Sequence, residues 1–268
     1  MDSPHETPLI IAHRGASALA PENTFAAFRR AVADGAEGLE FDVQLTRDGQ
    51  VVVFHDETLD RTALRSGNIR ELSAAELASI DIGSWFNTAV PDHADPLFSR
   101  ETIPTLAAVL EFLKDFTGRI YIELKCSETD ADELSKAVCD TICSSPLKPQ
   151  MIVKSFTLST IPIIRQLCPT VLTAALFSPK IMNIFRKEKY LVKIADDLGA
   201  DELSLHYALA TRKLMDSAEN RGLPVTVWTV DNPRWLKRSV GLGLKAIITN
   251  DPARLLAIRS ELLRNPDV

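Results

Sequence analysis

The chain has 268 residues, 46% of them apolar and 25% charged, with a net charge of −6 and a pI near 5.5. Such a composition supports a packed core, excludes a wholly disordered chain, and lacks the basic surface that nucleic-acid binding requires. An anionic substrate stays open, because a bound cation can invert the local sign. The N-terminal MDSPHETPL has neither the basic nor the apolar region of a secretory signal. No stretch approaches the roughly 18 apolar residues of a membrane span, so a soluble, cytoplasmic protein is expected.

Short apolar, β-branched runs follow in order at residues 9–12, 38–45, 51–54, 120–124, 151–155, 171–177, 202–205, 225–230 and 246–249. Stretches with helical spacing separate most of them: Leu106, Val109, Leu110 and Leu113 share one helical face, as do Leu255, Ile258 and Leu262. Alternating strands and helices predict a parallel sheet with helices outside. The runs at 38–45 and 51–54 are separated only by TRDGQ. A parallel crossover needs about a dozen residues, whereas Asp-Gly marks a hairpin, so 51–54 is predicted to return antiparallel. Eight parallel strands then remain, which a closed barrel of roughly 250 residues or an open doubly wound sheet would both accommodate. Residues from about 57 to 103 break the rhythm, with a capping-box helix at Ser73 and Glu76 and a Pro-rich loop. This segment is expected to be an insertion over one end of a single domain spanning 1–268, after which a helix at 104–116 resumes the pattern. The four cysteines, Cys126, Cys139, Cys143 and Cys168, read as small buried apolar side chains without a disulfide framework. No pattern specifies an oligomeric state.

Side-chain alternation singles out residues with chemistry. In GLEFDVQL, Leu39, Phe41, Val43 and Leu45 share one face and Glu40, Asp42 and Gln44 the other. Adjacent inward carboxylates repel and are costly to desolvate, and a cation relieves both problems. A solvated edge strand is the competing reading, but the fully apolar opposite face suits helix packing and turns the acids inward. IYIELK adds Glu123 and Lys125 on one face, as metal ligand and neighbouring cation or as an internal ion pair. Three carboxylates without a Cys or His at ligand spacing suit a hard ion, Mg²⁺ or Ca²⁺, with Mn²⁺ possible. His13 and His55 end a strand and the hairpin return, and two histidines can share a diester cleavage, one taking a proton and one giving it. Arg14 follows His13 and offers a fork for phosphate, or is a packing residue. Trp228 and Phe156 close strand ends and wall a pocket or pack in the core. His206 lies near the rim, while His5 and His93 fall in the terminus and the insertion. Asn250-Asp251-Pro252 reads as a helix cap followed by Pro at the first helical position.

The stretches IAHRGASALAPENTFAAF, GLEFDVQLTRDGQVVVFHDETLDRT, IPTL, IELK, SF and VWTV resemble glycerophosphodiester phosphodiesterases, from Ile10 to about Leu256. The resemblance implies a TIM (β/α)8 barrel with a small insertion after the second barrel strand. It implies hydrolysis of a small-molecule glycerophosphodiester to glycerol 3-phosphate and an alcohol. The cation is expected on Glu40, Asp42 and Glu123, acid and base work on His13 and His55, and the phosphate near Arg14 and Lys125. Two departures concern the rim: Thr249-Asn250 stands where the family usually has Thr-Asp, and Ala63 where it has a second Thr. The same catalytic set would suit a phosphodiesterase of lysophospholipids or phosphoinositides. A non-catalytic phosphoester-binding barrel is disfavoured by the presence of all five residues.

Overall fold

Period-two alternation of β-branched and apolar residues makes nine strands, and the computed structural model describes them within residues 7–180 and 189–264. They are β1 (Leu9–His13), β2 (Gly38–Leu45), β3 (Val51–Val53), β4 (Arg119–Leu124), β5 (Met151–Ser155), β6 (Leu172–Phe177), β7 (Glu202–His206), β8 (Val225–Trp228) and β9 (Ala246–Thr249). Neighbours pair in the order β1-β9-β8-β7-β6-β5-β4-β2, and β1 also pairs with β2, so eight parallel strands close into a TIM barrel. The remaining strand, β3, runs antiparallel to β2 with Val43 opposite Val53, as the short TRDGQ connection requires.

The helices are α1 (Phe25–Ala33), α2 (Ala74–Leu77), α3 (Ser84–Ala89), α4 (Leu106–Phe112), α5 (Ala131–Ile142), α6 (Thr160–Leu167), α7 (Lys189–Asp197), α8 (Arg212–Glu219), α9 (Arg234–Leu242) and α10 (Pro252–Arg264). The outward strand faces pack beneath them: Leu39, Phe41 and Val43 are fully buried against Phe28, Val109 and Leu134. Each such side chain contributes roughly 1.5–3 kcal/mol of burial. The barrel interior is layered. Ile11, Tyr121, Ile152 and Ile248 form an apolar floor. Beside them Glu202 is held by Tyr121, Thr226 and Lys245, which satisfy its buried carboxylate. No described helix is long and apolar enough to cross a membrane.

Residues 57–103 pack on the hairpin through Leu59, Ile69, Leu77 and Ile82, which cluster with Val52 and Phe54. The expected capping box at Ser73 and Glu76 is present. The ends of this segment meet: Val53 N donates to Pro104 O at 2.8 Å, and Val52 bridges Thr105. That contact holds Pro104 outside α4, whose N-cap is Thr105, so the helix is shorter than the 104–116 read from periodicity.

The cysteine reading needs correction. Cys143, at the end of α5, and Cys168, just after α6, form a disulfide with Cα atoms 5.8 Å apart. Cys126 and Cys139 remain free. Adjacent outer helices bring together residues 25 apart in sequence, which no spacing motif reveals.

Candidate active site

Strand register assembles the site. His13 on β1 lies level with Glu40 on β2; Asp42 is level with Glu123 on β4; Glu123 is level with Lys154 on β5. Because neighbouring parallel strands hold these residues level with one another and His13 ends β1, all five gather at one barrel mouth, where such folds place their chemistry. Glu40 and Asp42 are fully buried and Glu123 is 5% exposed. One oxygen from each lies within 4.8 Å of the others.

Three cations balance the three acids. Lys154 Nζ lies 2.8 Å from Glu40 and 3.6 Å from Glu123. Lys125 Nζ lies 3.1 Å from Asp42 and bonds Glu123. Arg14 Nε lies 3.0 Å from Asp42. Burial alone would raise the Asp42 carboxyl, but Arg14, Lys125 and His55 outweigh it and hold it well below the carboxylate range. Glu40 is lowered in the same sense, burial being outweighed chiefly by Lys154. Burial would lower Lys154, yet Glu40 and Glu123 raise it, so it stays an ammonium.

These residues fit a divalent cation. Glu40 Oε1 and Asp42 Oδ1 are buried, and what stands near them is the ammonium of Lys154 at 2.8 Å and that of Lys125 at 3.1 Å, positions a cation could share. Oxygens sharing one ion at about 2.4 Å can stand up to roughly 5 Å apart, which matches the spread of this cluster. All donors are hard carboxylates, as Mg²⁺ and Ca²⁺ prefer.

His55 is delivered by the hairpin. Phe54 N donates to Asp42 O at 3.0 Å, and the Gln44 amide donates to the carbonyls of Phe54 and Asp56 at 3.0 and 2.7 Å. The return strand is thereby tied to the strand bearing Glu40 and Asp42. His55 Nδ1 faces Asp56 Oδ1 at 2.6 Å. Asp56 accepts from Arg61, Arg61 forks onto Glu22, and Glu22 accepts from Arg14, so a chain of ion pairs rims the mouth. His13 Nδ1 lies 2.7 Å from Asn250 Oδ1, and its Nε2 lies 4.0 Å from Glu40.

The turn after His13 explains His-Arg-Gly. Arg14 has φ +57°, and its N–H reaches the Glu40 carbonyl at 2.7 Å, which folds the chain back over the acids. Gly15 follows at φ +82°, and a Cβ there would stand 2.6 Å from the Ala27 backbone. Only glycine meets both demands.

Beside the cluster opens a cleft of about 680 Å³, lined by His55, Lys125, Phe156, and by Asn68, Arg70 and Asp130 from the insertion and the β4–α5 connection. Phe156 is 45% exposed and meets Trp228 edge-on at 5.6 Å.

The family model of the glycerophosphoryl diester phosphodiesterase family matches residues 13–254, which include all of these groups. The chain belongs to that family. YhdW of Bacillus subtilis is 34% identical over 91% of the chain and 94% of its own length. The glycerophosphodiester phosphodiesterase of Caldanaerobacter subterraneus subsp. tengcongensis is 31% identical over 92% of the chain and 96% of its own. A phosphodiesterase of Oleispira antarctica, solved with the product sn-glycerol-3-phosphate, superposes with a TM-score of 0.83 at 26% identity, covering 95% of this chain and 97% of that one. Like its glycerophosphodiester phosphodiesterase relatives, the chain is a phosphoric diester hydrolase, and the family uses divalent cations.

Within this family frame, the structure brings His13, Arg14, Glu40, Asp42, Glu123, Lys125 and His55 to one mouth, with Trp228 and Phe156 at its rim. Arg14 and Lys125 are already engaged with Asp42, so they also act as counter-ions to the acids. His206 stacks on Tyr207 and accepts from Ala208 N, which makes it part of the aromatic wall. His93 lies in an exposed turn, and His5 lies outside the described residues. The expected cap is present: Asp251 accepts the Arg254 N–H, Pro252 opens α10, and Asn250 faces His13.

Two buried partners escaped the sequence reading. Lys154 alternates inward with Ile152, a parity visible in MIVKS once it is read as a strand. Asn23 is 1% exposed, sits at φ +58°, and donates to Asp42 Oδ2 at 3.0 Å from a loop with no periodic signal.

Proposed function

We propose that the chain hydrolyses glycerophosphodiesters to glycerol 3-phosphate and an alcohol, with a divalent cation held by Glu40, Asp42 and Glu123 and proton transfer by His13 and His55. One observation carries this reading: three buried carboxylates lie within 4.8 Å of one another, with two imidazole rings brought beside them from different strands. Bound there, Mg²⁺ or Ca²⁺ would polarise the phosphoryl oxygens and offset charge that builds in the transition state.

The protein supplies the rest. Each histidine has its Nδ1 occupied, His13 by Asn250 and His55 by Asp56, so each offers Nε2 to the substrate. One ring, bare at Nε2, accepts the proton of the attacking hydroxyl; the other, carrying protons on both nitrogens, donates its Nε2 proton to the leaving alkoxide, which is otherwise a poor leaving group. Arg14 and Lys125 stand at the acid cluster, where their donors meet an incoming phosphate. Phe156 and Trp228 provide an apolar wall for the carbon skeleton of the glycerol or the alcohol. In this reading the whole barrel acts as one unit, and residues 57–103 form a side wall of the cleft that receives the leaving alcohol.

The test is continuous detection of glycerol 3-phosphate from several glycerophosphodiesters, beside lysophospholipids and phosphoinositides, with Mg²⁺, with Ca²⁺ and with a chelator. Turnover should vanish in chelator and return with a hard cation. His13→Ala and His55→Ala should each lose about 10²- to 10⁴-fold in kcat while still binding the cation. Near-normal turnover in both variants refutes the acid/base assignment, and full activity in chelator refutes the cation.

A further inference from the structure

Asn250 stands where the family resemblance leads one to expect Asp, and the structure gives that residue a specific task. We propose that Asn250, itself oriented by Asp231, is a positioning residue that holds His13 in the Nδ1–H tautomer and so leaves a bare Nε2 facing the substrate. The inference rests on the proposed use of His13 for proton transfer.

Donor and acceptor chemistry leaves one solution. Asp231, in the loop after β8, presents a carboxylate that only accepts. Its Oδ1 takes the Thr249 hydroxyl at 3.0 Å and the Asn250 backbone N–H at 2.8 Å. Its Oδ2 takes the Asn250 side-chain amide nitrogen at 2.7 Å. The amide nitrogen is thus committed to Asp231, and the amide oxygen must point the other way. That oxygen stands 2.7 Å from His13 Nδ1 and also receives the Ser17 hydroxyl at 3.0 Å. An amide oxygen cannot donate, so the proton of this bond belongs to Nδ1 of His13. The backbone around Asn250 is fixed as well, since its carbonyl accepts from Ala18 N at 3.0 Å. β8, β9 and β1 are neighbours in the barrel, which is why a loop after the first, the end of the second and the end of the third can form this line.

His55 is held differently. Its Nδ1 partner is the Asp56 carboxylate, anchored by Arg61 at 2.6 Å. Both rings donate from Nδ1, to a neutral oxygen at His13 and to an anionic one at His55, and whichever ring acts as the acid carries a second proton on Nε2.

The experiment reads ring nitrogens directly. Histidine ¹⁵N–¹H correlation spectra of the full chain without metal, at a pH where His13 is neutral, should show His13 with its proton on Nδ1. Asp231→Asn places an amide nitrogen opposite the Asn250 amide nitrogen. Asn250 should then turn over, present its NH₂ to His13 and shift the proton to Nε2. In the cation-loaded enzyme kcat should fall about 10²-fold or more with KM little changed, as when a catalytic histidine is set in the wrong tautomer. The double variant Asp231→Asn/Asn250→Asp exchanges the polar ends and should restore both the Nδ1–H signal and most of kcat. An Nδ1–H signal that persists in Asp231→Asn overturns the inference, as does a double variant no better than the single one. These outcomes are separate from the proposed reaction: a fully active His13→Ala would remove the role of His13 while leaving its tautomer readable.

Discussion

Lys154→Met measures what a buried ammonium does among the acids. Its Nζ stands 2.8 Å from Glu40 and 3.6 Å from Glu123, and the residue is 2% exposed. At an effective dielectric near 20 these separations correspond to roughly 6 and 5 kcal/mol of attraction before desolvation is counted. Methionine keeps much of the length and flexibility of the side chain, so little of the effect comes from a cavity. Deleting one partner of a buried pair typically costs about 3–5 kcal/mol, because here the surviving Glu40 carboxylate stays desolvated without its ammonium. For 268 residues the unfolding entropy near 60 °C is about 0.56 kcal/mol/K, so the melting temperature should drop by about 5–9 °C in chelator. A divalent cation on the same carboxylates supplies the missing charge, so the deficit should narrow when Mg²⁺ or Ca²⁺ is added. Differential scanning calorimetry of both proteins in the two conditions provides the comparison. A loss below about 1 kcal/mol in chelator, or a deficit of equal size with and without cation, would refute the reasoning.

Three further outcomes follow from features outside the acid cluster. Gly15→Ala forces a Cβ to within 2.6 Å of the Ala27 backbone at φ +82°, so it should cost at least about 2 kcal/mol of unfolding free energy, lower the denaturant midpoint and displace His13; an unchanged midpoint would contradict the crowding. Under non-reducing conditions the unfolded chain should expose two thiols, Cys126 and Cys139, to a thiol reagent, and Cys143→Ser/Cys168→Ser should cost about 3 kcal/mol for the 25-residue separation; four reactive thiols would exclude the bridge. Glu37 binds Arg259 at 2.7 and 2.9 Å and accepts Ile10 N at 2.8 Å. Burial would raise its carboxyl, but the Arg259 and Ile10 bonds outweigh burial and hold it below its ordinary value. A depressed carboxyl adds stability above the ordinary carboxyl range that is lost as pH falls through the folded value. The deficit of Glu37→Gln, about 1 kcal/mol at neutral pH after solvent screening, should therefore shrink in acid, and a pH-independent deficit would contradict the pairing.

Much of the architecture is legible in the residues. Alternation in GLEFDVQL and IYIELK separates the helix-packing face from the acid face, and TRDGQ is too short for anything but a hairpin. Closure was not legible, because an open sheet carries the same alternation; it depends on β1 pairing with both β9 and β2. Glu40, Asp42 and Glu123 were visible because parity within a strand is a local property. Asn23 was not, since it meets Asp42 only through a left-handed loop conformation. The cap before Pro252 was legible, but the contacts of Asn250 were not, since they depend on the neighbouring ends of β1 and β8. The Cys143–Cys168 pair depends on how two outer helices end side by side, which no periodicity encodes.

The hydrogen bond between Val53 and Pro104, with the Val52–Thr105 bridge beside it, makes the segment at 57–103 a loop whose entrance and exit are stitched together. Doubling the length of a flexible loop costs only about 0.6 kcal/mol in closure entropy once its ends are held. Such a segment can be grafted, trimmed or exchanged between relatives while the staves carrying the acids keep their register. In the proposed reaction, divergence in the preferred alcohol can then accumulate on one detachable wall of the cleft, without reopening the question of how the phosphate is gripped.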